Sequence, residues 1–131
     1  MSHSVNIKTQ LKNIKTLLAQ FELKGWKIVN NEKCNTYPSD PRRHETHEYV
    51  AKNPQVGGYD IGINLDSEGN SYFVCDFFDS SIERQLGENL KDIKQGYAIA
   101  EIKKNLSEYE EDLDYKITEL PTGELVVIAE K

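Results

Sequence analysis

Between Tyr59 and Asp79 the chain reads YDIGINLDSEGNSYFVCDFFD, with apolar and polar residues alternating on both sides of Gly69. A period of two sends successive side chains to opposite faces of a strand. Asp66, Ser67, Glu68 and Gly69 are turn formers, so the stretch reads as a β-hairpin. If Asp66–Gly69 forms a type I turn with Gly69 left-handed, Asp66 lies opposite Asn70. Ile63 then pairs with Phe73, Ile61 with Cys75 and Tyr59 with Phe77, all on one face. A slip of one residue would set Ile61 against Asp76, so the apolar pattern selects this register.

The same register brings Gly62 to Val74, Asn64 to Tyr72 and Asp60 to Asp76 on the other face. Two carboxylates facing each other across strands repel by roughly 0.2–1 kcal/mol if exposed. Burial makes the conflict worse. The repulsion can be offset by a Lys or Arg from another element, by a bound cation, or by a shared proton of the kind used in acid–base catalysis. A salt bridge is the first expectation, since structural ion pairs also gather carboxylates. Asp60 and Asp76 are nevertheless the candidate catalytic residues, with His3 or His47 as helpers.

Other motifs carry less chemistry. With Gly69 at the sixth position of a calcium loop, Asn64, Asp66 and Glu68 fall at oxygen-ligand positions, but Cys75 stands where a bidentate Glu is needed. In HETHEY, His44 and His47 are three apart rather than the four of a zincin helix, and Glu45 and Glu48 do not complete a ligand set. No metal or cofactor is expected. NPQVGGYD matches neither phosphate-loop pattern, and no serine sits in a nucleophile elbow. Cys34 and Cys75 are the only cysteines. Cys75 belongs to an apolar strand, while Cys34 falls in a polar loop where it could be exposed.

Around the hairpin the periodicity changes twice. Val5, Ile7, Thr9 and Leu11 alternate as a strand. Asn13 then caps a helix carrying Ile14, Leu17, Leu18 and Phe21, which Gly25 ends. Trp26 and Ile28 begin a second strand, NTYPSDPRR is a proline-bearing loop, and HEYVAK is a short strand. Ser80-Ser81-Ile82-Glu83 has the form of a capping box ahead of a helical stripe running to about Ser107, with Gly87 and Gly96 as points where it can break or kink. The acidic run SEYEEDLD reads as a solvated connection, and a terminal hairpin turns at Pro121-Thr122-Gly123. The order β-α-β-β-β-β-α-β-β predicts one α+β domain over residues 1–131. A single antiparallel-rich sheet should carry two helices on one face, in a ferredoxin-like split β-α-β arrangement.

Charge bounds the partners. The 131 residues carry a net charge of −6, which argues against DNA and makes RNA a poor fit. Eight Lys and Arg stand against three acids in residues 1–43, and eight against nineteen beyond them. Such a dipolar chain suits docking to a protein. No apolar run approaches the ~20 residues of a membrane span, and Met1 opens no basic-then-apolar leader.

MSHSVNIKTQLKN, the central GYDIGINLDSEGNSYFVCDFFD and GYAIAEIKK before the closing strands together resemble a family known as hypothetical chloroplast reading frame thirty-five, of cyanobacteria and algal plastid genomes. The likeness spans nearly the whole chain and is most distinctive at YDIG and DFF. Ser4 and Gly96 depart from its pattern, which has an aromatic and a basic residue there. The resemblance implies a cyanobacterial cytosol or a plastid stroma and supplies no catalytic residues. The leading expectation is a non-enzymatic protein-interaction or assembly-accessory module. The competing one is a small ligand-binding protein or enzyme using Asp60 and Asp76, with the pair at the floor of a concave pocket.

Overall fold

The alternation around Gly69 forms the hairpin it predicts. In the computed structural model, which describes residues 4–105, 114–122 and 124–130, β4 (Ile61–Leu65) pairs antiparallel with β5 (Ser71–Cys75). Ile63 lies opposite Phe73, Gly62 opposite Val74 and Asn64 opposite Tyr72. The Asp66 N–H donates to the Asn70 carbonyl, and Gly69 sits at φ +83°. The Asp66 carboxylate accepts from the N–H groups of Glu68 and Asn70 at 2.9 Å. The acidic loop thus uses its charge to close the turn. His3 and most of SEYEEDLD lie outside the described residues.

β1 (Val5–Lys8), β2 (Lys27–Lys33) and β3 (Thr46–Lys52) complete an antiparallel sheet ordered β1-β5-β4-β3-β2. β6 (Asp114–Glu119) and β7 (Leu125–Glu130) pair with each other in a separate two-stranded sheet. The class is α+β. The ferredoxin-like arrangement is not confirmed. In that pattern one strand separates the two parallel strands of a split β-α-β unit, whereas three lie between β1 and β2. The cause is the meander from β2 to β5, which returns the chain to the edge that β1 completes.

α1 (Ile14–Leu23) is capped by Asn13, whose side chain accepts from the Thr16 N–H, and ends before Gly25 at φ +88°. The second helical stripe becomes two helices. α2 (Ser80–Leu86) stops at Gly87, at φ +84°, a 3-10 turn covers Glu88–Leu90, and α3 spans Lys91–Asn105. The cap of α2 is Asp79, one residue before the capping box read from the sequence. Gly96 lies inside α3 without breaking it, facing the end of the Gln20 side chain of α1.

All three helices meet one face of the sheet. Leu17 and Phe21 of α1, Ile82 and Leu86 of α2 and Ile93 of α3 pack with Ile61, Ile63, Phe73 and Cys75. Phe21 stands edge-on to Trp26 and Phe73 at 6.2 and 6.0 Å, a geometry that suits the ring quadrupoles. Such close packing leaves the core little tolerance for changes of volume.

Among the described residues the opposite face carries no helix, yet Val50, Gly62 and Val74 are buried on it. The β2–β3 connection, residues 34–45, supplies the cover. Asp40 accepts from the backbone N–H and hydroxyl of Ser4, just before β1, and Arg42 donates to Asn6. A loop that leaves β2 at one edge of the sheet is therefore tied to β1 at the other. Cys34, at the start of this loop where exposure was open to it, is buried, and both cysteines are free. Burial pushes each thiol up to about 12, so neither is a ready nucleophile. His47 is buried beside Gly62 with Nδ1 3.0 Å from the Asn64 amide nitrogen. His44 is exposed.

Candidate functional site

Extending the strand registers by one position beyond Val5–Cys75 and Ala51–Ile61, and by two beyond Gly62–Val74, aligns Ser4, Asp76, Asp60 and Lys52 across the end of the sheet. The expected opposition of Asp60 and Asp76 follows from that extension, and both are buried, at 4% and 3% exposure. Their surroundings differ. Asp60 Oδ1 accepts from the Asn53 N–H at 2.9 Å, and Oδ2 accepts from the Asn35 N–H at 2.7 Å and from Lys52 Nζ at 3.3 Å. The Asp60 N–H in turn donates to the Asn35 carbonyl at 2.8 Å. Lys52 therefore offsets the charge, the first of the three alternatives, and backbone donors satisfy the rest.

Asp76 is half engaged. Its Oδ1 accepts from the Phe78 N–H at 2.9 Å, while Oδ2 is buried without a partner among the described residues. The Thr36 hydroxyl, on the covering loop between Asn35 and Asp40, is buried as well and helps hold the Asp40 carboxyl below its usual value. Tyr59 has its phenol raised by burial first, then by the charges of Asp76 and Asp79.

Two aspartates that the sequence reading passed over complete the set. Asp79 Oδ2 accepts from the Tyr59 N–H at 2.6 Å and the Ser81 hydroxyl at 2.8 Å, and Oδ1 accepts from the Ser81 N–H at 2.9 Å. Burial would raise its pKa, but these bonds and Arg84 together hold it below the usual carboxylate value. Asp40 behaves alike. Burial opposes its charge, and the Ser4 hydroxyl with the Arg42 and Ser4 N–H groups prevails. Asp79 could have been found as an Asp before a helical stripe. Asp40, amid prolines, left no periodic signal.

Asp60 thus ties the covering loop to the β3–β4 turn, Asp79 ties that turn to α2, and Asp40 ties the loop to β1. Further bonds add to the bracing. The Asn53 amide donates to Ser81 Oγ at 3.0 Å, and Arg84 to Gln55 Oε1 at 2.8 Å. On the outside of these braced loops stand Val56, 99% exposed, Phe78, 75%, and Tyr37, 39%.

The aspartate pair does not line the cleft of about 320 Å³ formed instead by Leu11, Tyr97, Ala98, Ile102 and Leu125 with Gln10 and Glu124. Among the described residues no three His, Cys, Asp or Glu side chains converge to hold a metal ion. No described helix is long and apolar enough to cross a membrane. Comparison of the chain with protein-family models, with curated proteins and with solved structures gives no match.

Proposed function

We propose that the chain is a non-enzymatic protein-interaction module, an accessory or assembly factor, whose contact surface is the loop end bearing Tyr37, Val56 and Phe78. The observation that carries this reading is the exposure of Val56 and Phe78 on segments braced by buried carboxylates. Large apolar side chains held outward on an ordered backbone favour association, because little ordering entropy remains to be lost on docking. The resemblance noted above points to a cyanobacterial cytosol or a plastid stroma as the compartment and as the source of extract for a test.

Immobilised wild-type protein should capture a defined partner from such an extract. A Val56→Glu, Phe78→Glu double variant should lose it while its unfolding free energy changes by no more than about 0.5 kcal/mol, as for other surface positions. Equal recovery by both proteins would remove the proposal. The reading of Asp60 and Asp76 as a ligand-binding or catalytic pair has one observation in its favour, the unpartnered Asp76 oxygen. Against it stands the full commitment of Asp60 to Lys52 and two backbone donors.

A further inference from the structure

At the opposite end of β1 from Ser4, Leu11 is pinned in place. Its carbonyl accepts from the Ser71 N–H and its own N–H donates to Thr9 Oγ1, both at 3.0 Å. Facing it are Tyr97, Ala98 and Ile102 of α3, and Leu125 closes a third side of the cleft. Tyr97 is held by the Asn13 N–H, which donates to its hydroxyl at 3.0 Å. Leu11 and Ala98 are buried, whereas Gln10 and Glu124 are exposed, which gives the cleft an apolar floor and a polar rim. Its volume of about 320 Å³ is at the lower limit of small-molecule pockets, which span roughly 300–1,000 Å³. It suits one or two side chains better than an organic cofactor.

The surroundings are basic on an acidic protein. Lys104 Nζ donates to Thr16 Oγ1 at 2.5 Å, so the end of α3 lies beside the start of α1. This places the exposed Lys104 near the exposed Lys12 and Lys15 at the start of α1. Within residues 10–16 and 97–105 the only acid is Glu101, 3.7 Å from Lys104, and Glu124 adds one carboxylate at the rim. Lys103 and Lys104 complement the carbonyl end of α3, but helix stability does not explain Lys12 and Lys15. They stand at the positive end of α1, whose first turn carries no acid, where cations are unfavourable.

We propose that this cleft binds an acidic amphipathic segment of a partner protein. A bulky apolar side chain seats among Leu11, Ala98, Ile102 and Leu125, and flanking carboxylates meet Lys12 and Lys15. The site is separate from the loop-end surface and stands without it. Apolar anchors give such peptides their grip, and charge complementarity gives choice of partner and rate of encounter.

The test is fluorescence anisotropy of the full chain with a labelled peptide of about a dozen residues, carrying leucine and phenylalanine at helical spacing and Asp or Glu elsewhere. Saturable binding is expected, with amide shifts at Gln10, Leu11, Tyr97 and Leu125 and weakening as salt rises. Ile102→Glu should reduce affinity at least about tenfold. The doubly substituted Lys12→Glu, Lys15→Glu chain, altered only at exposed positions, should reduce it several-fold and keeps the test open if Ile102→Glu fails to fold. The proposal is overturned if a neutral peptide with the same apolar residues binds equally, or if a single-stranded oligonucleotide binds more tightly. Shifts confined to Tyr37, Val56 and Phe78, or a concentration-dependent dimer that occupies the cleft, would overturn it as well.

Discussion

His47 shows how one side chain constrains its neighbours. Its ring lies where a β-carbon on residue 62 would approach to 2.6 Å, so glycine at that position is a matter of space rather than of backbone angle. Gly62→Ala should cost roughly 1–3 kcal/mol by urea unfolding, and pairing it with His47→Ser should recover part of the loss. Burial lowers the His47 pKa from 6.5, against a raising effect of Glu45. The unfolded chain therefore binds this proton more readily than the native state does. Stability is greatest above pH 6.5 and declines as pH falls from there through the native pKa. In His47→Gln that slope should vanish from unfolding curves between about pH 7 and 5. The separate loss expected below pH 3.8, from the lowered pKa values of Asp40 and Asp79, should remain.

The two facing aspartates should respond differently to the same change. Asp60→Asn turns an amide nitrogen towards a backbone donor or Lys52, at a cost of about 1–3 kcal/mol. Asp76→Asn keeps an oxygen for the Phe78 N–H and removes an unpartnered carboxylate oxygen, so its melting temperature should hold or rise. Opposite rankings in thermal unfolding would show that the bracing role belongs to Asp76.

Among the elements, the β6–β7 hairpin depends most on a single neighbour. Two strands alone are marginal in water. This pair rests on α3 through Leu125 and through Lys94 Nζ, which lies 2.7 Å from Glu119. Lys94 is almost fully buried, so Glu119→Gln leaves a charge in the interior without its counterion. A cost of about 1–3 kcal/mol is expected, since Glu119 itself is partly solvated. Hydrogen exchange should quicken in β6 and β7 before the main sheet, and Lys94→Met should be milder because no charge is stranded. The terminal hairpin was legible from its turn residues and apolar last strand. Its attachment was not, because nothing local marks Lys94 as an inward lysine on a helix. The division of the second helix was half legible. Gly87 signals a break and Asn89 tolerates its left-handed backbone, but the left-handed Leu90 that completes the break follows no residue preference.

For the molecule as a whole, the segment 34–45 decides whether the helix-free face of the sheet is dry. Asp40→Ala removes the acceptor for Ser4 and for the Arg42 N–H, at a cost of about 2 kcal/mol. It should also loosen the cover over Val50 and Val74. Cys34, buried and with its thiol pushed up to about 12, should react with a disulfide reagent only on opening in the parent chain and faster in the variant. Unchanged labelling would mean that Asp40 does not hold the cover.

The sequence by itself determined the α+β class, the hairpin register and the first helix with its Asn13 cap and Gly25 stop. These depend on residues within a few positions of one another, where period and turn chemistry act directly. The hairpin register, extended two positions beyond Gly62–Val74, also sets Asp60 opposite Asp76. Only the tertiary structure decided what surrounds them, because Asn35 and Lys52 reach Asp60 from separate elements. The strand order was decided there too. β5 returns beside β1 from sixty or more residues away, and no local periodicity encodes a pairing at that separation. The burial of His47 and Cys34 followed from the same cause, a polar loop whose path over the sheet is set by Ser4 and Asn6 at the opposite edge.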